Sequence, residues 1–238
     1  MLYRQDDPLE LFGANFMCGR MYLEPSNRLT TLLSYLEVHK LEVPTRYNIA
    51  PTDEVPVIFG AEDERKMADM SWWLHPSWSP HDPKSREAHK YPTFNAKIET
   101  ITTLRSFKNA IRKQRAIVPG HAFIEWKKGA TNPKEKIPFF IQGVDEPLAF
   151  AAMYDVWHDS YFSCAIVTQE PDDYFAQIHD RMPLTLTVEQ CKRWLNPNED
   201  VDQLLKDLRG SSIRLAEYEI DPIVNNARNK VPAVALHN

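Results

Sequence analysis

The sequence predicts an α+β domain built on a largely antiparallel sheet, and three observations carry that reading. Apolar residues recur in short runs bounded by Pro, Gly, Asn and Asp, at 55–59, 138–141, 148–154 and 161–168, which is the pattern of short strands. Helical periodicity is confined to a few separate segments, and no strand–helix rhythm runs through the chain, so a parallel βαβ architecture is not expected. The 238 residues, 43% of them hydrophobic, suffice for one sizeable core, and only 7 Gly with no low-complexity run leave no place for a flexible linker. A single domain over 17–238 is expected, with residues 1–16 as an N-terminal extension outside the mature protein.

In chain order, Ser26 is placed to cap a helix that carries Leu29, Leu32, Leu33 and Leu36 on one face. Pro44 breaks the chain beyond this helix, and RYNIAP at 46–51 reads as an irregular segment before the strand at 55–59. The acidic Glu62–Glu64 marks a hairpin tip, with a return strand running into Trp72 and Trp73. From there to Pro92 four prolines and little periodicity indicate a long surface loop with aromatic anchors. A helix is expected from Thr102 or Thr103, turning Leu104, Phe107 and Ile111 inward and Arg105, Lys108, Arg112 and Lys113 mostly outward.

Residues 115–120 lead into a strand at 121–126 that holds Glu125 among apolar and aromatic neighbours, and then comes a basic turn with Lys127, Lys128, Lys134 and Lys136. After the strands at 138–141, 148–154 and 161–168, Pro171, Asp172 and Asp173 suit the start of a short helix that ends at 178–183. Thr187 and Gln190 form a capping box for a helix with Val188, Cys191, Trp194 and Leu195 on one face. Asn198 is read as the cap of another, bearing Val201, Leu204, Leu205 and Leu208 and stopped by Gly210. A last strand covers 213–220, and the tail at 225–230 is polar and basic.

The formal net charge of −5 excludes a global basic field, so any nucleic-acid site must be local. One such patch lies between Lys97 and Arg115, with six basic residues and one acidic; a solvated helix face is the other account of it. The three cysteines, Cys18, Cys164 and Cys191, are odd in number and lack CxxC spacing, which argues against a disulfide framework or structural zinc and for a reducing compartment. Cys164 is expected to be buried and inert, and no metal or cofactor is expected. Residues 1–16 contain Asp6, Asp7 and Glu10 and no signal-like apolar run, and no stretch is long enough to span a bilayer. These features together describe a soluble, cytoplasmic monomer with no membrane partner.

The chemistry-bearing stretch is Met17-Cys18-Gly19-Arg20. If translation starts at Met17, or the preceding segment is removed, Cys18 carries a free α-amine beside its thiol. Such a 1,2-aminothiol attacks an aldehyde through nitrogen and closes through sulfur to a thiazolidine, which an internal cysteine cannot do. An α-amine has a pKa of about 8, against about 10.4 for lysine, so much of it is nucleophilic at neutral pH. The alternative for a lone cysteine is a small buried hydrophobe.

Six segments in order, MCGR at 17–20, RYNIAP at 46–51, WWLHPSW at 72–78, FNAKIET at 94–100, FIEWKK at 123–128 and IHDRMPLTL at 178–186, resemble the SRAP family, the SOS response-associated peptidase proteins that shield abasic sites in single-stranded DNA during the DNA damage response. The resemblance covers nearly everything from Met17 onward. It implies a pseudo-barrel of antiparallel strands with peripheral helices and a basic groove, with abasic single-stranded DNA as the partner. It implies further a covalent DNA–protein crosslink through the cysteine after the initiator methionine.

By motif position, Cys18 is the implied nucleophile, and Asn95, Glu125 and His179 complete the catalytic set. Arg20, Asn48, Lys97, Arg105 and Arg181 occupy positions associated with DNA or active-site contacts. Trp73, Trp78 or Trp126 is available to stack on flanking bases or to pack in the core. Two features depart from the family: arginine is the commoner residue where this chain has Lys97, and residues 1–16, if retained, acylate the Cys18 amine and forbid the ring.

An abasic sugar is mostly a closed hemiacetal, so releasing its aldehyde needs an acid and a base. Glu125 has a raised pKa if it faces a dry pocket, but strand alternation could instead place it in solvent, the commoner place for a strand glutamate. His179 suits a proton shuttle or a structural hydrogen bond. Asn95 cannot titrate and is assigned to orienting the amine or a sugar hydroxyl. Two other readings stand beside this one: a thiol autopeptidase using Cys18 and His179, and a non-catalytic single-stranded DNA-binding module.

Overall fold

The structure is a computed structural model and describes residues 19–38, 43–129, 132 and 135–236; Cys18 and the expected extension 1–16 lie outside the described residues. The elements are β1 (Met21–Leu23), α1 (Asn27–Tyr35), β2 (Arg46–Ile49), β3 (Glu54–Phe59), β4 (Lys66–Ser71), β5 (Asn95–Lys97), α2 (Ala110–Lys113), β6 (Arg115–Gly120), β7 (Ala122–Lys128) and β8 (Lys136–Gly143). They continue with β9 (Leu148–Trp157), β10 (Tyr161–Gln169), β11 (Met182–Pro183), α3 (Val188–Leu195), α4 (Val201–Leu208) and β12 (Leu215–Glu219).

Strands β9, β6, β3 and β4 pair antiparallel in that order. Strand β10 pairs antiparallel with β9 and meets β4 in parallel at Ser163↔Ser71, which closes a five-stranded barrel. Closure leaves those strands no free edge. On β10, beyond the barrel path, sit β5 in parallel (Ile166↔Asn95, Thr168↔Lys97) and β11 antiparallel. A second, antiparallel sheet runs β12-β8-β7-β1-β2. This is the α+β pseudo-barrel with peripheral helices that the sequence and its resemblance imply.

The continuous apolar runs of β6, β9 and β10 reflect burial on both faces: Ile117, Val118, Ala151, Ala152, Ile166 and Val167 are all fully enclosed. Burying each of the larger of these side chains contributes about 1.5–3 kcal/mol. Helix α1 begins as expected, with Ser26 Oγ accepting from Leu29 N–H at 3.2 Å, and it buries Leu29, Leu32 and Leu33. The Thr187–Gln190 capping box is present at the start of α3. Trp194 Nε1–H then donates to the carbonyls of Ala116 (2.8 Å) and Ala152 (3.1 Å), fastening α3 across β6 and β9. Arg115 donates to the carbonyls of Trp194 and Asn196 at the end of the same helix, where a cation suits the helix dipole. Cys164 is fully buried, and desolvation pushes its thiol well up.

Four local expectations are corrected. Residues 46–49 form β2 rather than an irregular segment; Asn48 lies at φ +47° inside it, an αL conformation that asparagine tolerates better than most residues. The expected helix from 102 is a run of turns ending in the short α2, and Leu104 is 47% exposed. The cap of α4 is Asp200, which accepts from Gln203 N–H at 2.8 Å, rather than Asn198. Lys127 and Lys128 continue β7 rather than forming a turn.

A second, smaller core lies on the other side of the β7 sheet. There Tyr22, Ala122, Ile124, Phe140, Ile220 and Val224 pack together, flanked by Tyr47, Trp126 and Ala233. The C-terminal residues 222–236 form a strap over this layer. Among the described residues, no helix is long and apolar enough to cross a membrane.

Candidate active site and nucleic-acid interface

Alternation along β7 sends Phe123, Glu125 and Lys127 to one face and Ile124 and Trp126 to the other. Glu125 is 1% exposed, opposite Phe139 of β8. Strand β1 pairs with β7 at Met21↔Phe123, and Ile124 N–H donates to Arg20 O at 3.1 Å. The chain therefore enters β1 alongside the Glu125 end of β7, with Gly19, the residue bonded to Cys18, at its head.

The face that carries Glu125 is covered by the turn that carries His179. Asp172 Oδ1 accepts from Phe175 N–H at 2.7 Å and starts the turn, and the Phe175 ring lies 5.9 Å from that of Phe123. The backbone N–H groups of Ile178 and His179 both return to Phe175 O, at 2.8 and 3.0 Å. Burial holds the His179 pKa below its ordinary 6.5; Asp180 pulls it back up, and Lys136 and Lys128 push it down. Lys136, lowered by burial, also feels Glu125, so Glu125, His179, Lys136 and Lys128 share one electrostatic neighbourhood. Lys128 and Lys136 face each other across the β7–β8 rung.

Asn95 opens β5 beside Ile166, held by Trp72 Nε1–H, which donates to Phe94 O at 3.0 Å. Two residues on, Lys97 is exposed. Glu99 then accepts a bidentate pair from Arg181, at 2.9 and 2.8 Å, and Arg181 also donates to Thr168 O at 2.9 Å. Burial alone raises the Glu99 pKa, but the hydrogen bonds and charge of Arg181 outweigh it and hold the carboxyl below its ordinary value. Arg181 is thus buried in an ion pair that ties the His179 turn to β5 and β10, rather than being open to a phosphate. The Glu99–Arg181 pair thus links the segment that carries Asn95 to the turn that carries His179.

The sequence-read nucleic-acid residues divide. Arg20 is half-buried on the outer face of β7, with its guanidinium 5.8 Å from the Trp126 ring. Trp126 Nε1–H donates to Asn225 Oδ1 at 2.7 Å. Arg105 is exposed and stacks 4.0 Å over Trp78, itself 41% exposed. Trp73, by contrast, is 1% exposed, with its ring 5.2 Å from Phe94 and 5.1 Å from His89; it packs in the core and offers no face to a base. Asn48 is fully buried as well, and its amide donates to the carbonyls of Val224 (3.1 Å), Asn226 (3.0 Å) and Asn229 (3.0 Å). Its side chain holds the strap.

Sequence reading passed over Glu99, Asp180 and Asn225, and it named Lys128 and Lys136 without a role. Glu99 and Asp180 sit inside the FNAKIET and IHDR segments, so their place beside assigned residues was the available signal. Nothing in the sequence marked Asn225 as the partner of Trp126, a contact made across 99 positions.

The described geometry has a counterpart among known proteins. The model of the SOS response associated peptidase (SRAP) family matches residues 17–227. The chain belongs to this family. Among its SRAP relatives, the abasic site processing protein YoqW of Bacillus subtilis is 31% identical over 227 residues, covering 91% of this chain and 97% of the relative. The abasic site processing protein YedK of Escherichia coli is 30% identical over 227 residues, covering 90% of this chain and 96% of the relative. A crystal structure of a protein from Bacteroides thetaiotaomicron superposes with a TM-score of 0.73 at 24% identity over 90% of this chain and all of that one, which shows the shared fold.

Proposed function

We propose that this SRAP protein processes abasic sites in DNA, and that it does so by joining itself covalently to the sugar of single-stranded DNA through Cys18. The single observation that carries the reading is Glu125: a carboxyl group 1% exposed, beside the strand that leads back to Cys18 and in one electrostatic neighbourhood with His179. A fold buries such a group only where it has partners or work to do. The naming of the relatives as abasic site processing proteins supports the substrate.

In this reading the closed sugar is opened by proton transfer from its C1′ hydroxyl and to its ring oxygen, the work of Glu125 and His179. The Cys18 α-amine adds to the aldehyde carbon, water leaves, and a Schiff base forms. The thiolate then adds to that carbon, the C=N electron pair passes to nitrogen, and nitrogen takes a proton to complete the thiazolidine. Asn95 orients the amine or a sugar hydroxyl. Arg20 with Trp126, and Arg105 with Trp78, supply cationic and stacking contacts to the strand, and Lys97 adds an exposed charge.

The chemistry requires a free amine, so the mature protein begins at Cys18; the family match beginning at residue 17 fits this. Start at Met17 followed by methionine removal, or self-cleavage before Cys18, both deliver it. Terminal sequencing of recombinant wild type against Glu125→Ala separates the two, because self-cleavage fails in the variant.

The deciding experiment incubates the protein with single-stranded DNA bearing one abasic site. The expected product is an adduct stable to denaturant and high salt, lost in Cys18→Ala and trapped only by borohydride in Cys18→Ser. A residue fixed ahead of Cys18 should abolish it. Equal crosslinking by the blocked protein would replace the aminothiol mechanism with a thiol-only one, and reversible, salt-sensitive binding without any adduct would leave a binding module.

A further inference from the structure

Nδ1 of His179 has two neighbours of opposite character. The backbone N–H of Arg181 lies 3.2 Å away, and Asp180 Oδ1 lies 2.8 Å away. An unprotonated Nδ1 accepts from the amide; a protonated Nδ1 donates to the carboxylate. One nitrogen cannot do both at once, so the two contacts select different tautomers of the neutral ring. With Arg181, the proton sits on Nε2, which is then only a donor. With Asp180, the proton sits on Nδ1, and Nε2 has a lone pair for a reactant.

We propose that Asp180 is the positioning residue of His179, holding the Nδ1–H tautomer that makes Nε2 a proton acceptor. The inference rests on the reading of His179 as an acid–base group of the crosslinking reaction. The proton balance closes. Nε2 takes the proton of the C1′ hydroxyl as C1′=O forms and the C1′–O4′ bond breaks, the imidazolium keeps its Nδ1–H on Asp180, and Nε2 returns its proton to O4′ by way of Glu125, whose carboxylate takes it and hands it on. The ring ends in the tautomer in which it began, and no electrons are exchanged with another species. In the Arg181-bound tautomer the same ring has no lone pair at Nε2 and cannot begin the step.

The surroundings make this tautomer control more telling than charge. Of the charged groups acting on the ring, Asp180 on its own turn favours the cation, whereas Lys136 on β8 and Lys128 on β7 oppose it. The Asp180 side chain is 88% exposed, so water screens its charge, but a hydrogen bond to Nδ1 acts at contact. Exposure also means that replacing Asp180 leaves the packed core untouched.

The test follows the His179 ring nitrogens by long-range proton–nitrogen NMR in the mature protein without DNA, the resonances assigned by their loss in His179→Gln. Wild type should populate the Nδ1–H tautomer. Asp180→Ala should move the ring to Nε2–H and lower its pKa, and should slow adduct formation on abasic DNA roughly tenfold. Asp180→Asn, whose amide oxygen still accepts from Nδ1–H, should restore the tautomer and much of the rate but not the pKa. An unchanged tautomer ratio and pKa in Asp180→Ala overturn the proposal. A moved tautomer in a protein whose wild type forms no adduct supports the Asp180–His179 coupling and overturns the crosslinking function instead.

Discussion

The two faces of β7 solve opposite problems with neighbouring residues. One face buries Glu125 beside Phe123, under a turn fixed by Phe175 and by the Glu99–Arg181 ion pair. The other sets Trp126 and Arg20 side by side, and a C-terminal strap gathered by Asn48 holds the indole from behind. The first face encloses ionisable groups, and burial there lowers the proton affinity of His179; the second leaves a half-exposed cation and ring. A strand with a side-chain period of two thus sets two different environments one residue apart, and the supports of each face lie far away in sequence.

The largest effect that separates the faces is expected at Glu125. Glu125→Ala should slow crosslink formation by about 10²- to 10⁴-fold, while fluorescence anisotropy with abasic single-stranded DNA shows little change in affinity. Trp126→Leu should do the reverse, weakening binding while sparing the rate at saturating DNA. Parallel losses in both variants would mean that the division does not exist.

Next in size is the support of the outer face. Asn48→Ala leaves three strap carbonyls without their shared donor and should cost about 1–3 kcal/mol in urea denaturation, with new protease cleavage in 222–230. A strap as resistant as in wild type would show that its other contacts suffice, among them Tyr22 OH donating to Val231 O at 2.9 Å and the Lys230–Asp53 pair.

A smaller effect is expected from Glu99, and its sign comes from its lowered pKa. A carboxyl depressed by folding contributes stability above its unfolded pKa, about 4.3, and loses it as pH falls through the lower folded value. Wild type should therefore lose melting temperature faster than Glu99→Gln on acidification below about pH 5. Matching slopes would place the ion pair outside the stability of the inner face.

The smallest predicted change is in salt dependence. Arg105→Gln should reduce the slope of log affinity against log salt by about 0.7 for a single strand. Arg209→Gln should leave the slope alone, because Arg209 already lies near Glu99 and Glu170, at 3.8 and 3.7 Å. Equal changes at both positions would remove the Arg105–Trp78 surface from the interface.

Sequence reading reached the features that local rules decide. The Ser26 cap, the Thr187–Gln190 box and the long strands of the barrel arise from hydrogen-bonding side chains and apolar runs. It missed β1, β5 and β11, which are too short for any period to show and exist only because a neighbouring strand pairs with them. The helix expected from 102 fails where Thr100 and Thr103 gather: Thr103 Oγ1 donates to Thr100 O at 3.0 Å, a local bond that competes with helix continuation. At the candidate site the motifs named Asn95, Glu125 and His179, yet they could not tell Trp73 from Trp78. Both come after the β4 strand in one segment, and only the packing of Phe94 and His89 decides that the first is enclosed while the second stacks with Arg105 in solvent.

Asn48 also sets an order on how this protein becomes competent as it leaves the ribosome. The carbonyls its buried amide needs lie 176, 178 and 181 residues downstream, whereas the barrel has all its strands once Gln169 is made. Synthesis runs from the N-terminus, so a nascent chain holds a complete barrel and every assigned site residue up to Arg181 before the Asn48 amide has its partners. A product cut short between residues 181 and 224 therefore keeps every assigned site residue but carries an unpaired polar group and an uncovered apolar layer, the two marks by which quality control recognises an unfinished protein.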